Sequence, residues 1–197
     1  MPATDTRSRL LDQAQALIQD RGFNAFSFKD LAKAVGIRTA SVHYHFETKL
    51  HLGLALMERY LAGFERKLVE LSSARTARAR LHGLVEAYHA IEASGLACLC
   101  GSLATDVQTL PPEMRPLIDA YLERSEVWIA EQISLGRTTG EFAPRADATD
   151  LATLLVSALQ GALFLGRSRA GGSMLERVER AFWSSLEERG APAPEPR

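Results

Sequence analysis

The chain is poor in cysteine, with two in 197 residues, Cys98 and Cys100, separated by a single position. Such a pair sits too close in sequence to staple a secreted fold, and the expected setting is the reducing cytoplasm. Long apolar runs are lacking as well. Only "LATLLVSALQGALFLG" (151–166) approaches a membrane span; it is short for one and carries Ser157 and Gln160, so no membrane association is expected. The opening "MPATDTRSRLLDQ" has no continuous apolar core of the kind a signal peptide needs. An excess of one charge is also missing: 23 Lys and Arg stand against 24 Asp and Glu, which excludes a chain coated in basic residues for nucleic acid. What remains is ordinary globular composition, 46% hydrophobic and 24% charged, enough to build a sizeable core.

The charge is unevenly spread. Residues 1–52 hold seven Lys or Arg and five Asp or Glu, a balance of +2 that leaves −3 for the rest of the chain's −1. With His43, His45 and His51 added, the N-terminal quarter alone has an excess of positive or protonatable groups.

Period-2 alternation is absent, Leu and Ala dominate, and glycines and prolines fall between segments, so the expected fold class is all-α. Helices are expected near 6–21, 28–35, 39–44, 48–71, 75–94, 96–107, 112–136, 148–168 and 173–189. In the first, Leu10, Ala14, Leu17 and Ile18 share one stripe. Ser27 followed by Asp30 reads as a capping box with Asp in place of Glu, and Gly36 breaks the short helix that follows. This gives a three-helix head over 1–52, a larger helical body over 53–189, and a disordered tail, "APAPEPR", within 190–197.

The stretch "RTASVHYHFETK" (38–49) holds four rings in a row, His43, Tyr44, His45 and Phe46, which a helix would fan round most of its circumference. Val42 and Phe46, four apart, are expected to plug a core beside Leu31 and Val35. Two short helices joined by a turn containing Gly36 make a helix-turn-helix pattern, whose second helix can enter a DNA major groove. A metal site on His43, His45 and His51 is the rival; His45 points away from His43, and no Cys or closely spaced carboxylate completes a shell, so neither a metal nor another cofactor is expected. No nucleophile is spaced to use these imidazoles. Lys49 opens a helix, where a cation opposes the macrodipole by roughly 0.3–1 kcal/mol. A compensating anion, a phosphate held by the amides after Thr48 and by the ammonium, would explain it.

Over about 27 residues, "FSFKDLAKAVGIRTASVHYHFETKLHL" resembles the DNA-binding signature of the TetR/AcrR family of bacterial transcriptional regulators. Ser27, Leu31 and Ala32, Gly36 and Ile37, Ala40 to Val42, His45 and Phe46, and Thr48 and Lys49 stand at the signature positions. Two positions depart: His43 replaces the usual Tyr, and Arg38 stands where a capping Ser is common, leaving Thr39 to take over the cap. The resemblance implies DNA contacts by Arg38, Thr39, Ala40, Ser41, His43, Tyr44 and Lys49, with His43 and Tyr44 on the phosphate backbone.

In the body, "DATDLATLLVSALQGALFLGRS" is apolar nearly all round, and Ala158, Gly161 and Ala162 would let another helix come close. The resemblance implies a homodimer joined through the last two helices, the second carrying the stripe Leu175, Val178, Phe182 and Leu186. It also implies an inducer held among body helices, for which Tyr88, His89, Tyr121, Trp128 and Phe164 are candidate residues. Cys98 and Cys100 are candidate sensors of oxidants or electrophiles, Cys98 because a helix N-terminus lowers a thiol pKa; simple packing is the alternative. The expected function is ligand-responsive transcriptional regulation, a repressor released from a palindromic DNA operator by a small-molecule or electrophile inducer, without enzymatic activity. The alternative is a small helical enzyme using Cys98 or Cys100 with His82 or His89.

Overall fold

The computed structural model describes residues 3–168 and 172–187, so the expected tail within 190–197 lies outside the described residues. Among them every regular element is helical: α1 (Ala3–Arg21), α2 (Phe28–Val35), α3 (Thr39–His45), α4 (Lys49–Ser72), α5 (Ala77–Ala93), α6 (Leu99–Thr105), α7 (Arg115–Thr139), α8 (Ala148–Gly166) and α9 (Met174–Glu187), with a single 3₁₀ turn at Pro112–Met114. The expected all-α fold is found. Several helix ends differ from the sequence reading by a few residues, most of all in α6 and α7. α6 is shorter, beginning only after Cys98. α7 runs on to Thr139, and Gly140, at φ +76°, turns the chain so that the Glu141 and Phe142 amides both donate to the Gly136 carbonyl.

The described chain divides into two compact units, one made of the chain up to Arg66 with Leu96–Tyr121, the other of Lys67–Gly95 with the chain from Leu122 onward.

In the first unit, Leu10, Leu11, Ala14 and Ile18 bury the inner stripe of α1, which packs on α2 and α6. The turn after α1 is held by polar groups far away in sequence. Gln19 Nε2 donates to the Ala97 carbonyl at 2.7 Å, the Asp106 carboxylate accepts from the Phe23 amide at 2.9 Å, and Asn24 Nδ2 donates to Thr109 Oγ1 at 2.7 Å. Gly22 is needed there twice over: its φ is +88°, and Asp106 Oδ2 lies 2.8 Å from where a Cβ would stand. Lys49 then ties the start of α4 to the same turn. Its ammonium donates to the Phe26 carbonyl and stands 4.8 Å and 4.2 Å from the ring centroids of Phe23 and Phe26. Burial pushes its pKa below the ordinary lysine value, opposed by the Asp30 and Asp106 carboxylates.

In the second unit, α5 packs on α8 and α9, and α8 on α9. Leu151, Ala152, Leu155, Val156, Leu159, Ala162 and Leu163 supply the buried side of α8. Because α8 starts at Ala148, behind an Asp147 cap that accepts from the Thr149 amide at 3.0 Å, it has 19 residues. By length and composition it could cross a membrane, which corrects the sequence reading of that run as too short; 44% of its apolar window is buried inside the fold. Trp128 donates from Nε1 to Ser72 Oγ at 2.9 Å, which lets an indole that is 2% exposed keep its polar edge satisfied. The N-terminus of α5 is capped twice. Thr76 Oγ1 accepts from the Ala79 amide at 3.1 Å, and the Glu141 carboxylate accepts from the Ala77 and Arg78 amides at 3.1 and 3.0 Å. The Arg78 amide bond holds the Glu141 carboxyl below the usual carboxylate range, with further help from Ala77, Thr139 and Arg78.

Lys49→Met should lower stability by about 1–2 kcal/mol, because the Phe26 carbonyl loses a charge-assisted bond inside a half-buried turn; an unchanged thermal midpoint would show that bond to be idle. Glu141→Gln should cost about 0.5–1.5 kcal/mol near neutral pH. The folded carboxyl titrates lower than the unfolded one, so its contribution is present above the ordinary glutamate range and lost as pH falls through the folded value. Denaturant titrations should therefore show the gap between wild type and variant closing in acid.

Candidate nucleic-acid interface

α2 is a short helix made rigid at both ends. Ser27 Oγ accepts from the Asp30 amide at 3.3 Å and the Asp30 carboxylate accepts from the Ser27 amide at 2.8 Å, the reciprocal box expected from the sequence. Ser27 Oγ also donates to the Asp30 carboxylate at 2.6 Å, and this bond, followed by that from the Ser27 amide, holds the Asp30 carboxyl below its ordinary value. At the other end Gly36 adopts φ +76°, and its amide closes onto the Ala32 and Lys33 carbonyls. Three residues later α3 begins, at Thr39. Leu31 and Val42 are fully buried, Phe46 is 3% and Val35 8% exposed, so the pair expected to plug this core does so. Arg7 lies 5.2 Å over the Phe46 ring and Arg9 donates to the Val35 carbonyl at 2.8 Å, fastening α1 to both short helices.

That core decides which side of α3 faces solvent. Ala40, His43 and Tyr44, three and four positions apart, are exposed, and Tyr44 is 83% exposed. Thr39 and Ser41 are half-buried at its edges, and Arg38 is exposed at its start. The His43 ring is not loose: it stands edge-on to Phe28 at 4.9 Å, and its Nδ1 lies 3.4 Å from the Glu47 carbonyl. His45 is half-buried, edge-on to Tyr44 at 5.2 Å.

Two expectations change. Arg38, not Thr39, is the N-cap of α3, with extended backbone at φ −79°, ψ 146° and no side-chain cap bond, because the helix starts one residue earlier than a Thr39 cap would need. Lys49 does not stand free beside the first amides of α4. The partner that its position demands is supplied inside the fold, by the Phe26 carbonyl and two ring faces, while Thr48 Oγ1 accepts from the His51 amide at 3.2 Å. The spacing of Lys49 signalled a partner; only packing against the turn after α1 revealed which.

The expected ligand residues fall in both units. In the first, Cys98 is fully buried, its Sγ 3.7 Å from the Tyr60 hydroxyl and 3.8 Å from that of Tyr121, itself 3% exposed. Cys100 is fully buried too, and burial pushes its thiol far above the ordinary range, so a reactive thiolate at Cys100 is disfavoured. In the second, the Tyr88 hydroxyl accepts from Gln160 Nε2 at 3.2 Å, and His89 Nε2 meets the Glu179 carboxylate at 2.8 Å. Glu179 accepts also from Trp183 Nε1 at 3.1 Å. Trp128 is buried and Phe164 half-buried. Glu179 was missed by sequence reasoning; only the register of α9 against α5 puts it opposite His89. Outside this set, Leu154 and Leu165 on α8 are 61% and 58% exposed, and an apolar groove of about 160 Å³ lies between α8 and α9, lined by Leu154, Ala158, Val178, Ala181 and Phe182. Among the described residues no three His, Cys, Asp or Glu side chains converge on a point that could hold a metal ion.

Comparison with known proteins agrees with this architecture. Residues 10–56 match the model of bacterial regulatory proteins of the tetR family, and residues 77–182 match the tetracyclin repressor-like C-terminal domain. The transcriptional repressor KstR2 of Rhodococcus jostii is 36% identical over 101 residues, a match covering 47% of this chain and half the length of KstR2. The repressor NemR of Escherichia coli is 26% identical over 140 residues, 68% of this chain and 69% of NemR. A TetR-family regulator from Agrobacterium tumefaciens shares the fold with a TM-score of 0.89 over 94% of this chain and 99% of its own, at 23% identity. These relatives do not support the alternative of a small Cys/His enzyme. With both halves of the pattern matched and a helix-turn-helix built as such a reader requires, the chain belongs to the tetR family of bacterial regulatory proteins, DNA-binding transcriptional regulators rather than enzymes.

Proposed function

We propose that this chain is a cytoplasmic repressor that binds a palindromic operator as a homodimer and is released by a small-molecule inducer. Residues 1–52 would read DNA and residues 53–189 hold the inducer and the partner copy. The carrying observation is the exposed face of α3, with Ala40, His43 and Tyr44 raised over a sealed core of Leu31, Val42 and Phe46. Ala40 is small enough for the helix to approach base edges, Thr39 and Ser41 offer hydroxyls, and Arg38 brings a cation to the leading end. Lys49 takes a different part, holding α4 against the turn that carries this surface. The repressor sign is supported by the names of KstR2 and NemR.

His43 belongs to the same face, its ring edge-on to Phe28 at 4.9 Å and its Nδ1 3.4 Å from the Glu47 carbonyl, which sets the imidazole at the surface as a phosphate contact. The groove between α8 and α9 supports the homodimer, since Leu154 is exposed at its edge and the two helices present one continuous apolar strip. Tyr88, His89, Trp128 and Phe164 are the inducer residues proposed in the second unit; in the first, Tyr121 lies beside Cys98, the cysteine to which a thiol response would belong.

Binding to the chain's own promoter region should weaken at least about tenfold between about 50 and 200 mM salt; absence of salt-sensitive binding would refute the DNA reading. His43→Ala should weaken operator binding at fixed salt and pH. Undiminished affinity in the variant would show that His43 is not the contact. Leu154→Glu should shift the protein from dimer to monomer in sedimentation equilibrium and weaken operator binding; a dimer of unchanged strength would place the interface elsewhere.

A further inference from the structure

The first unit carries a cleft that the DNA-binding surface does not use. It has a volume of about 440 Å³ and runs between α1 and α4, within the range of about 300–1,000 Å³ common for small-molecule sites. Helical spacing aligns its walls: Asp12 and Gln15 project from α1, while Arg59 and Arg66, two turns apart, and Tyr60 and Phe64, one turn apart, line α4. Gly63 lies at the centre of the α4 wall, and a Cβ there would meet nothing closer than Arg66 Nη2 at 3.8 Å, so the space above it is open. The ring floor is held from behind, with Tyr121 4.5 Å from Phe64 and 5.6 Å from Tyr60 between centroids, tilted by 47° and 45°.

The charges do not cancel. Arg59 Nη1 meets the Asp12 carboxylate at 2.8 Å and the Ser8 carbonyl at 3.5 Å, which accounts for the one anion in the cleft. Arg66 faces the same space and is exposed, and among the described residues it has no ion pair or hydrogen bond. A planar fork of donors beside a floor of rings matches a flat aromatic ligand bearing one carboxylate, the ring lying on Tyr60 and Phe64 and the carboxylate taken by Arg66. Gln15, half-buried on the facing helix, offers an amide to a ring substituent.

We propose that the α1–α4 cleft binds aromatic carboxylates, with Arg66 as the anion receptor and Tyr60 and Phe64 as the stacking floor. This goes beyond the inducer reading and uses none of the residues assigned to DNA. The test is isothermal titration of the full chain with 2-naphthoate, with 2-naphthamide as the uncharged analogue and inorganic phosphate as the ringless anion. Wild type should bind 2-naphthoate and bind the other two at least about tenfold more weakly, the worth of one charge-assisted bond or of the ring floor. Arg66→Gln should weaken 2-naphthoate at least about tenfold, and Gly63→Leu, which fills the open floor, should abolish binding, while promoter binding stays at the wild-type value and the thermal midpoint falls in neither. No binding to wild type, equal binding of the amide or of phosphate, or undiminished binding in either variant would overturn the proposal. Promoter binding is read without naphthoate, so failure of the DNA reading and failure of the cleft are separate results.

Discussion

A helix of seven residues cannot hold itself together in water. Nucleating one costs more backbone entropy than its few internal hydrogen bonds return, so α3 exists only because something else fixes it. That support is the burial of Val42 and Phe46 against Leu31 and Val35, and the exposed surface of the first unit follows from it. Once two positions of α3 are fixed inward, the remaining angles are dictated by the helical period. Ala40, His43 and Tyr44 must then face outward together, which is how a solvent-exposed Tyr ring arises beside a fully buried Val.

The same economy appears in the anchors of that core. Two cations on α1 fasten it, and one at the start of α4 fastens the turn beside it. Arg7 covers Phe46 while carrying charge, Arg9 satisfies the Val35 carbonyl near the end of α2, and Lys49 satisfies Phe26 while facing two rings. A cation at the first residue of a helix is unfavourable against the helix dipole, and the Phe26 carbonyl with the negative ring faces offsets that cost. Asp106 does the corresponding work for the turn after α1, where the missing Cβ of Gly22 admits its carboxylate.

In the second unit, polar groups are satisfied in pairs across helices: Trp128 by Ser72, Tyr88 by Gln160, His89 by Glu179, and the first amides of α5 by Glu141. These bonds orient large side chains that would otherwise pack in several ways. The apolar face left between α8 and α9 stands apart from this arrangement, since Leu154 and Leu165 have no such cover within the described chain.

Much of this was legible in the amino-acid order because it is local. Helix period, the Ser27–Asp30 box, the Gly36 stop and the inward pair Val42 and Phe46 depend on neighbours within a turn or two, and spacing records them. Helix ends were legible to within a few residues, and the misplaced ones, at α6 and α7, depended on caps formed by Cys98 and Gly140. What sequence by itself determined is therefore the element order, the core face of each short helix and the ring row's division into buried and exposed members. Tertiary structure alone decided the partner of Lys49, the burial that disfavours Cys100 as a sensor, the pairing of His89 with Glu179, and the cleft that sets Arg66 beside Tyr60 and Phe64. Those depend on which distant residue a helix meets when it packs, and hydrogen bonds and burial between distant segments leave no periodic trace in the chain.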